Sequence, residues 1–367
     1  MGQSPSSKNY SENSNDTILI QGNADLDNGK VIPRVYTSEI TKTSAPNDII
    51  LTVRAPVGKL AINSFFACIG RGVCSIKGDK FTYYYLESLN ENNTWEKLSQ
   101  GSTFEAINSG DIKNLLIKIP EPKDQEKISN FLFQIDKKIT LLNKQLDCCN
   151  NFKDFCLQNL FSKNKLRFIK RYNFDAKYVS DYLKESKIKA SNDDINKHLT
   201  VKLNLKGVIP RESKTIEKEG ATTQYIRKSG QFIYGKQNLY KGALGLIPKE
   251  LDNFLSSSDI PSFDFINSVN HLWFYYYFSR KSFYESLEKY STGTGSKRIS
   301  PTDFLKIKLF IPPLEIQEKI ANFLLLIDKK IDLTQNQITE MEKFKKGLLQ
   351  QMFVYLCIFF NRFISLF

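Results

Sequence analysis

Apolar residues fall at alternating spacings of four and three through Ile128, Leu132, Ile135, Ile139, Leu142, Leu146 and Cys149. They do so again through Ile320, Leu324, Ile327, Ile331, Thr334, Ile338 and Met341. A 3.5-residue period predicts two long helices, each needing a partner helix along its length. From Lys123 to Leu160 the first would be about 57 Å long at 1.5 Å per residue. Phe131 and Phe323 widen the stripe, as expected where such a helix also touches a globular domain. Each helix buried in its own domain is one solution. Antiparallel pairing of the two with each other satisfies both seams at once.

Between the helices the pattern changes to short β-prone runs bounded by Gly, Pro, Asn and Asp: 18–20, 48–53, 60–62 and 68–76, then 199–203, 231–234 and 242–247. An aromatic run opens a predicted helix at 83–100 and another at 275–290. A last strand at 115–119 or 307–311 feeds the long helix.

The two halves are copies. Ile119 to Ile139 (IPEPKDQEKISNFLFQIDKKI) and Ile311 to Ile331 (IPPLEIQEKIANFLLLIDKKI) agree at 14 of 21 positions at an offset of 192. The same offset pairs Phe81 with Trp273, Asp111 with Asp303 and Phe161 with Phe353. Such self-similarity fixes the architecture before any other signal, and a period this long means two large similar halves, not a short-unit solenoid. Upstream of Phe81 the register breaks, so a divergent and a constant region alternate twice. The predicted division is 1–119, 120–163, 164–311, 312–353 and an apolar tail at 354–367. The second divergent region is longer by about 28 residues, which map to 165–192; their counterpart is expected before Met1.

Composition narrows the class. The chain has 367 residues, 41% of them apolar, with 27 Phe and 17 Tyr, enough for more than one packed core. A net charge of +13 favours a polyanionic or acidic partner, and equally reflects Lys-rich composition. Six cysteines without a C-x-x-C pair, and only two histidines (His198 and His271), offer no zinc site. Without a signal peptide, reduced thiols and a cytoplasmic location are expected. Phe353 to Phe367 is apolar but too short for a span of roughly 20 residues.

Catalytic signatures do not assemble. Gly293-Thr294-Gly295-Ser296-Lys297 lacks the spacing of a phosphate loop, and its counterpart at Gly101 lacks both the second Gly and the Lys. No G-x-G-x-x-G fingerprint occurs. Glu185-Ser186-Lys187 and Glu212-Ser213-Lys214 have the E-x-K form of many nucleases, but such triplets arise by chance in this composition.

The combination is more specific. The two I-P-x-x-x-x-Q-E-K-I-x-N-F-L-x-x-I-D-K-K-I copies and the Lys345 to Phe353 ending (KKGLLQQMF) carry it. So do Gly2 to Pro5 with Ile20 to Asn23, Ile69 to Cys74, and Gly293 to Ser300. Together they resemble the specificity subunit of type I restriction-modification systems, over all but the last 14 residues. The resemblance implies an α+β fold: two target-recognition domains related by pseudo-twofold symmetry and joined by two long antiparallel coiled-coil helices, with the first domain N-terminally truncated. It implies a non-catalytic subunit that reads a bipartite site in double-stranded DNA. Two methyltransferase subunits would dock on the helices, and restriction subunits complete the complex. S-adenosylmethionine, ATP and Mg would reside on those partners. The alternative is a coiled-coil scaffold or inactive partial allele that binds partners without reading DNA.

Under that resemblance, Arg, Lys, Asn and Gln beside glycine turns are the candidate DNA contacts. They are Arg54, Lys59, Arg71 and Lys77 in the first domain. In the second they are Lys236, Gln237, Asn238, Tyr240 and Lys241 of the GKQNLYKG loop, with Lys297 and Arg298. Candidate docking residues recur at the helix starts: Gln125, Glu126, Lys127 and Asn130, and Gln317, Glu318, Lys319 and Asn322. The alternative for these is helix-start chemistry, with the acids near the positive end of the dipole.

Overall fold

A computed structural model describes residues 1–99, 106–161, 175–212, 222–293, 296–359 and 363–365. Thr294, Gly295, Ser213, Lys214 and the 101–105 counterpart of the glycine motif lie outside the described residues, as do 165–174 of the expected surplus. The fold is mixed α+β. Eight α-helices occur among the described residues: α1 (Lys80–Glu91), α2 (Thr94–Ser99), α3 (Ser109–Lys113), α4 (Pro122–Leu160), α5 (His271–Ser279), α6 (Lys281–Ser286), α7 (Pro301–Leu305) and α8 (Leu314–Phe359).

The chain forms two compact units. Unit 1 is 1–144 with 335–367, and unit 2 is 145–334. Both boundaries cut the long helices near their middles, because each helix lends one half to each unit. The helices are therefore not separate modules, as the sequence division at 120–163 and 312–353 had them.

Unit 1 carries two five-stranded sheets. In one, Thr17–Ile20 runs parallel to Ala67–Ile69. In the other, Val73–Ile76, Ile49–Thr52 and Leu60–Ile62 form an antiparallel run. The expected strand 68–76 is two strands, because the chain turns at Gly70-Arg71-Gly72. Unit 2 repeats the antiparallel run in a four-stranded sheet, in the order Leu183–Ser186, Ser262–Phe265, Phe232–Tyr234, Leu244–Leu246. An aromatic helix follows in each unit, shorter than expected. Between α1 and α2 the break sits at Asn93, whose φ is +54°. α5 stops at Arg280, which takes an extended backbone and lays its guanidinium 4.0 Å from the Tyr277 ring.

The seam is apolar and buried as the period requires, and in each unit it is antiparallel. In unit 1, Ile128, Leu132, Ile135 and Ile139 from the start of α4 share a core with Met341, Leu348, Leu349 and Phe353 from the end of α8. Leu142 and Ile338 are buried as well. In unit 2, Ile320, Leu324, Ile327 and Ile331 from the start of α8 share a core with Cys156, Leu157, Leu160 and Phe161 from the end of α4. Leu146 is half-buried, and Thr334 is buried and donates to the Lys330 carbonyl at 2.7 Å. Phe323 widens the seam, its ring 6.3 Å from that of Phe152 on α4. Phe131 and Phe323 are nonetheless 47% and 41% exposed, while Ser129 and Ala321 are buried.

Each unit closes on the same polar clasp. Tyr84 of α1 donates to Asp136 of α4 at 2.8 Å, and Lys345 of α8 pairs with Asp136 at 2.7 Å and with Glu87 at 2.8 Å. In unit 2, Tyr276 of α5 donates to Asp328 of α8 at 2.7 Å, and Lys153 of α4 pairs with Asp328 at 2.5 Å. Burial and then the paired carboxylate hold both phenols far above their ordinary pKa. Burial works against the Lys345 ammonium, but Glu87 and Asp136 outweigh it and raise its pKa. Beside the clasp, Phe353 packs 5.7 Å from Phe81, and Phe161 packs 5.9 Å from Trp273. Apart from Glu87, whose counterpart is Ser279, every one of these partners sits at the repeat offset.

The apolar tail is not separate from this unit. α8 continues to Phe359, and Phe363–Ser365 pairs antiparallel with Leu116–Lys118.

Removing Lys345 strands two carboxylates that burial disfavours. We expect Lys345→Met to lower stability by about 3 kcal/mol near neutral pH. Lys153→Met, at a more exposed site with one carboxylate, should cost about 1 kcal/mol. Burial already raises the Glu87 pKa above its ordinary 4.5. A raised folded-state pKa means that the penalty is full at high pH and fades as pH falls toward 4.5. The K345M deficit in urea unfolding should therefore shrink as pH is lowered toward 4.5; an undiminished deficit would refute the assignment.

Candidate nucleic-acid interface

Three segments that are far apart in sequence converge in unit 1. Gly2 N–H donates to the Val73 carbonyl at 2.9 Å, Gln3 N–H to Ile69 at 2.8 Å, and Gly70 N–H to Ile20 at 2.7 Å. Arg71 N–H donates to the Ser4 hydroxyl at 3.1 Å. Gly72 is required here, since a Cβ would collide with the Gln21 carbonyl. Asp25 holds the neighbouring turn, accepting from Gln21 N–H at 2.8 Å and Gly22 N–H at 3.1 Å. The product is a polar cleft of about 520 Å³ lined by Ser4, Tyr10, Gln21, Asn23, Arg54 and Arg71, among others. Both arginines are exposed. Arg54 follows the strand Ile49–Thr52, and its backbone bridges to Ala106.

Of the four residues expected in this domain, the fold brings Arg54 and Arg71 together. Lys59 is exposed but does not line the cleft, and Lys77 lines a different groove. The expectation missed Gln21, Asn23 and Tyr10 as candidate contacts. The likeness had already singled out Gln21 and Asn23; only their meeting with Arg71 was invisible.

In unit 2 the GKQNLYKG loop and the 296–298 segment meet. Lys236 N–H donates to the Asp259 carbonyl and Ile299 N–H to the Lys236 carbonyl, both at 2.9 Å. The Gln237 side-chain oxygen, turned toward Arg298, accepts from its Nη2 at 2.7 Å and from Nε at 3.2 Å. Arg298 also pairs with Asp259 at 3.3 Å, and Lys297 with Glu288 at 2.6 Å. The hydrogen bond to Glu288 and its charge raise the Lys297 pKa. These two cations are thus aimed by acids and not left bare.

Asn238 opens a short turn that ends at Gly242, whose φ is +74°, and its carbonyl accepts from Lys241 N–H at 2.9 Å. Tyr240 is partly buried against the core, and exposed Lys241 lies 5.6 Å from its ring. Lys236 lines a second cavity of about 260 Å³ with Lys187, Tyr225 and Arg227. The Arg227 guanidinium is fully buried on hydroxyls and carbonyls of Ser186, Ser256, Ser257 and Ser262, and burial pushes its pKa down to about 10. Arg227 therefore braces the sheet. In Glu185-Ser186-Lys187 the acid and the lysine pair with each other at 2.9 Å.

The helix-start residues divide by burial. Gln317 is 2% exposed, donates to the Pro312 carbonyl at 2.8 Å and accepts from Asn270 N–H at 2.9 Å. Gln125 likewise donates to Pro120 at 2.8 Å. Both glutamines tie the helix to the strand before it, which corrects the expectation that they meet a partner. Glu126, Lys127, Asn130, Glu318, Lys319 and Asn322 are exposed, with Lys127 near Asp124 and Lys319 near Glu315. Among the described residues no His, Cys, Asp and Glu cluster could hold a metal, and no helix is long and apolar enough to cross a membrane.

Gly72→Ala should lower the melting temperature and reshape the cleft, at a cost of about 2 kcal/mol. Gly230→Ala is the control: it is strained by its φ of +82° but meets no neighbour. Equal melting temperatures for wild type and Gly72→Ala would rule out the close approach.

Comparison with known proteins accords with this geometry. The family described as type I restriction modification DNA specificity domain matches residues 1–147 and again 150–343. In Methanocaldococcus jannaschii, the MjaX type I restriction enzyme specificity subunit is 34% identical over 173 residues, 46% of this chain and 40% of that protein. The MjaIX specificity subunit is 24% identical over 335 residues, 83% of this chain and 76% of that protein. Among solved structures, the type I restriction-modification S subunit from M. genitalium superposes with a TM-score of 0.59 at 18% identity, covering 96% of this chain and 92% of that one. A chain from a study of type I R-M complex assembly and conformational transition gives 0.56 at 14%, covering 92% and 91%. With the family matched twice along nearly its whole length, the chain belongs to the type I restriction-modification DNA specificity family.

Proposed function

We propose that this chain is the DNA-reading subunit of a type I restriction-modification complex. Each unit reads one half of a bipartite site. The arginine cleft serves unit 1, and the Gln237–Arg298 pair with its loop serves unit 2. The observation that carries this reading is Arg298: a guanidinium braced by Gln237 and Asp259 yet about half exposed, as a base-reading arginine needs to be. The net charge of +13 supplies the salt-dependent phosphate attraction.

In the same reading, the exposed helix-start residues Glu126, Lys127, Asn130, Glu318, Lys319 and Asn322 dock methyltransferase subunits. Chemistry, with its S-adenosylmethionine, ATP and Mg, belongs to the partners, and the complex works in the cytoplasm.

Methylome sequencing of a host with and without the gene tests this, together with co-purification of a methyltransferase subunit. A bipartite adenine motif should vanish with the gene; an unchanged methylome would refute the reading. In binding assays, Arg54→Ala with Arg71→Ala should reduce the log–log salt slope by about 2. Arg298→Ala should relax one half-site at a cost of about 1–3 kcal/mol in discrimination and leave the other half-site intact.

A further inference from the structure

Arg227 is a buried charge whose hydrogen-bond partners are all neutral. It ends the strand Gln224–Arg227, which pairs antiparallel with Phe254–Ser257. From there its guanidinium reaches Ser256 and Ser257 on its own pair of strands, and the Ser186 carbonyl and Ser262 hydroxyl on the four-stranded sheet. Four N–H groups are used in this way, and a guanidinium carries one more. Among the described residues no carboxylate forms an ion pair with it: Glu185 raises its pKa through its charge, but pairs with Lys187 at 2.9 Å. At a pKa of about 10 the group stays charged near neutral pH. Buried charges are ordinarily paired, because desolvating a lone ion is costly.

The same residue lines the cavity of about 260 Å³, several times the roughly 30 Å³ that one water occupies in the liquid. Glu185, Ser186, Lys187, Tyr225 and Lys236 line it too. Three cations against one acid leave this lining with a surplus of two positive charges. Lys236 is half-buried, and among the described residues its ammonium has no acidic partner. Its backbone is pinned on both sides, to the Asp259 carbonyl and the Ile299 N–H. Ser186 is 5% exposed, and its hydroxyl is buried with no hydrogen-bond partner among the described residues. Buried hydroxyls are ordinarily bonded, so an orphaned one calls for an explanation. An anion answers all three features at once: the unpaired guanidinium, the cationic lining and the unused hydroxyl.

We propose that this cavity binds a phosphate group. Its oxygens accept from Lys236, from the Ser186 hydroxyl and from the remaining Arg227 N–H, more donors than the two oxygens of a carboxylate would satisfy. Two sources share this chemistry. One is the phosphodiester backbone of DNA, and in that form the inference rests on the DNA-reading function proposed above. Lys236 adjoins Gln237, which holds Arg298, so a phosphate seated here fixes the register of the base-reading arginine. The other source is free inorganic phosphate.

In the first arm of the test the full chain is titrated with inorganic phosphate at constant ionic strength, and its melting temperature is followed. A saturable rise is expected, whereas general stabilisation by a kosmotropic salt does not saturate. Lys236→Gln should weaken the apparent affinity at least about tenfold. Ser186→Ala removes only a hydroxyl without a partner, so it should melt like wild type without phosphate and bind phosphate about fivefold more weakly. The second arm measures DNA binding against salt, where Lys236→Gln should lower the log–log slope by about 1. A lowered slope, with Ser186→Ala also binding DNA more weakly, assigns the site to the DNA backbone. Saturable phosphate binding with an unchanged slope assigns it to the free anion, and either result supports the proposal. No saturable rise together with an unchanged slope overturns it. Ser186→Ala indistinguishable from wild type in both arms reduces the effect to surface attraction at Lys236, and overturns it too. A chain that binds no DNA at all fails the DNA-reading function, and the phosphate arm alone then decides the cavity.

Discussion

One half-buried ion pair in each unit decides how the long helices are used. Asp136 and Asp328 each accept from a tyrosine of the aromatic helix and pair with a lysine from the opposite long helix. A half-buried carboxylate without partners is costly, so each aspartate favours the register that brings all three elements together. The apolar seam alone would allow slippage by a heptad. The clasp permits one alignment, and Phe353 and Phe161 fill the adjoining space on the aromatic rings. Everything upstream in each unit rests on an aromatic helix held this way.

The same constraint explains why the divergent sheets can differ. Among the described residues unit 1 has a parallel pairing and a second five-stranded sheet, while unit 2 has one four-stranded sheet and small two-stranded ones. Neither difference reaches the clasp. The candidate contacts accordingly lie in loops carried by these sheets, where substitution leaves the core intact.

The long helices, their seams and their opposite directions were legible because period and duplication are local signals that packing then reinforces. The strand positions were nearly as legible, since glycine and proline punctuate them. Where sequence reasoning failed, a non-local contact won. Gln317 looks like a surface docking residue until Pro312 and Asn270 are placed around it. Phe131 fits an apolar stripe yet stays 47% exposed, whereas Phe323 meets Phe152 of the opposite helix. Gln21 and Asn23 gave no hint of facing Arg71, because the cleft exists only once Gly70 docks on Ile20. Lys59 and Lys77 carried the right charge beside the right turns, and only folding sends them elsewhere. The tail looked independent, and its strand pairing is a contact across more than two hundred residues.

The division of the helices also sets an order in time. Unit 2 is one uninterrupted stretch, 145–334, and can complete its core as soon as those residues have left the ribosome. Unit 1 is begun first and finished last, since Leu132 and Ile135 must wait for Leu349 and Phe353. During synthesis its nascent half holds a buried-type carboxylate and an apolar seam with no mate, and closing so long a loop is slow. The first domain to emerge is thus the last to close its core.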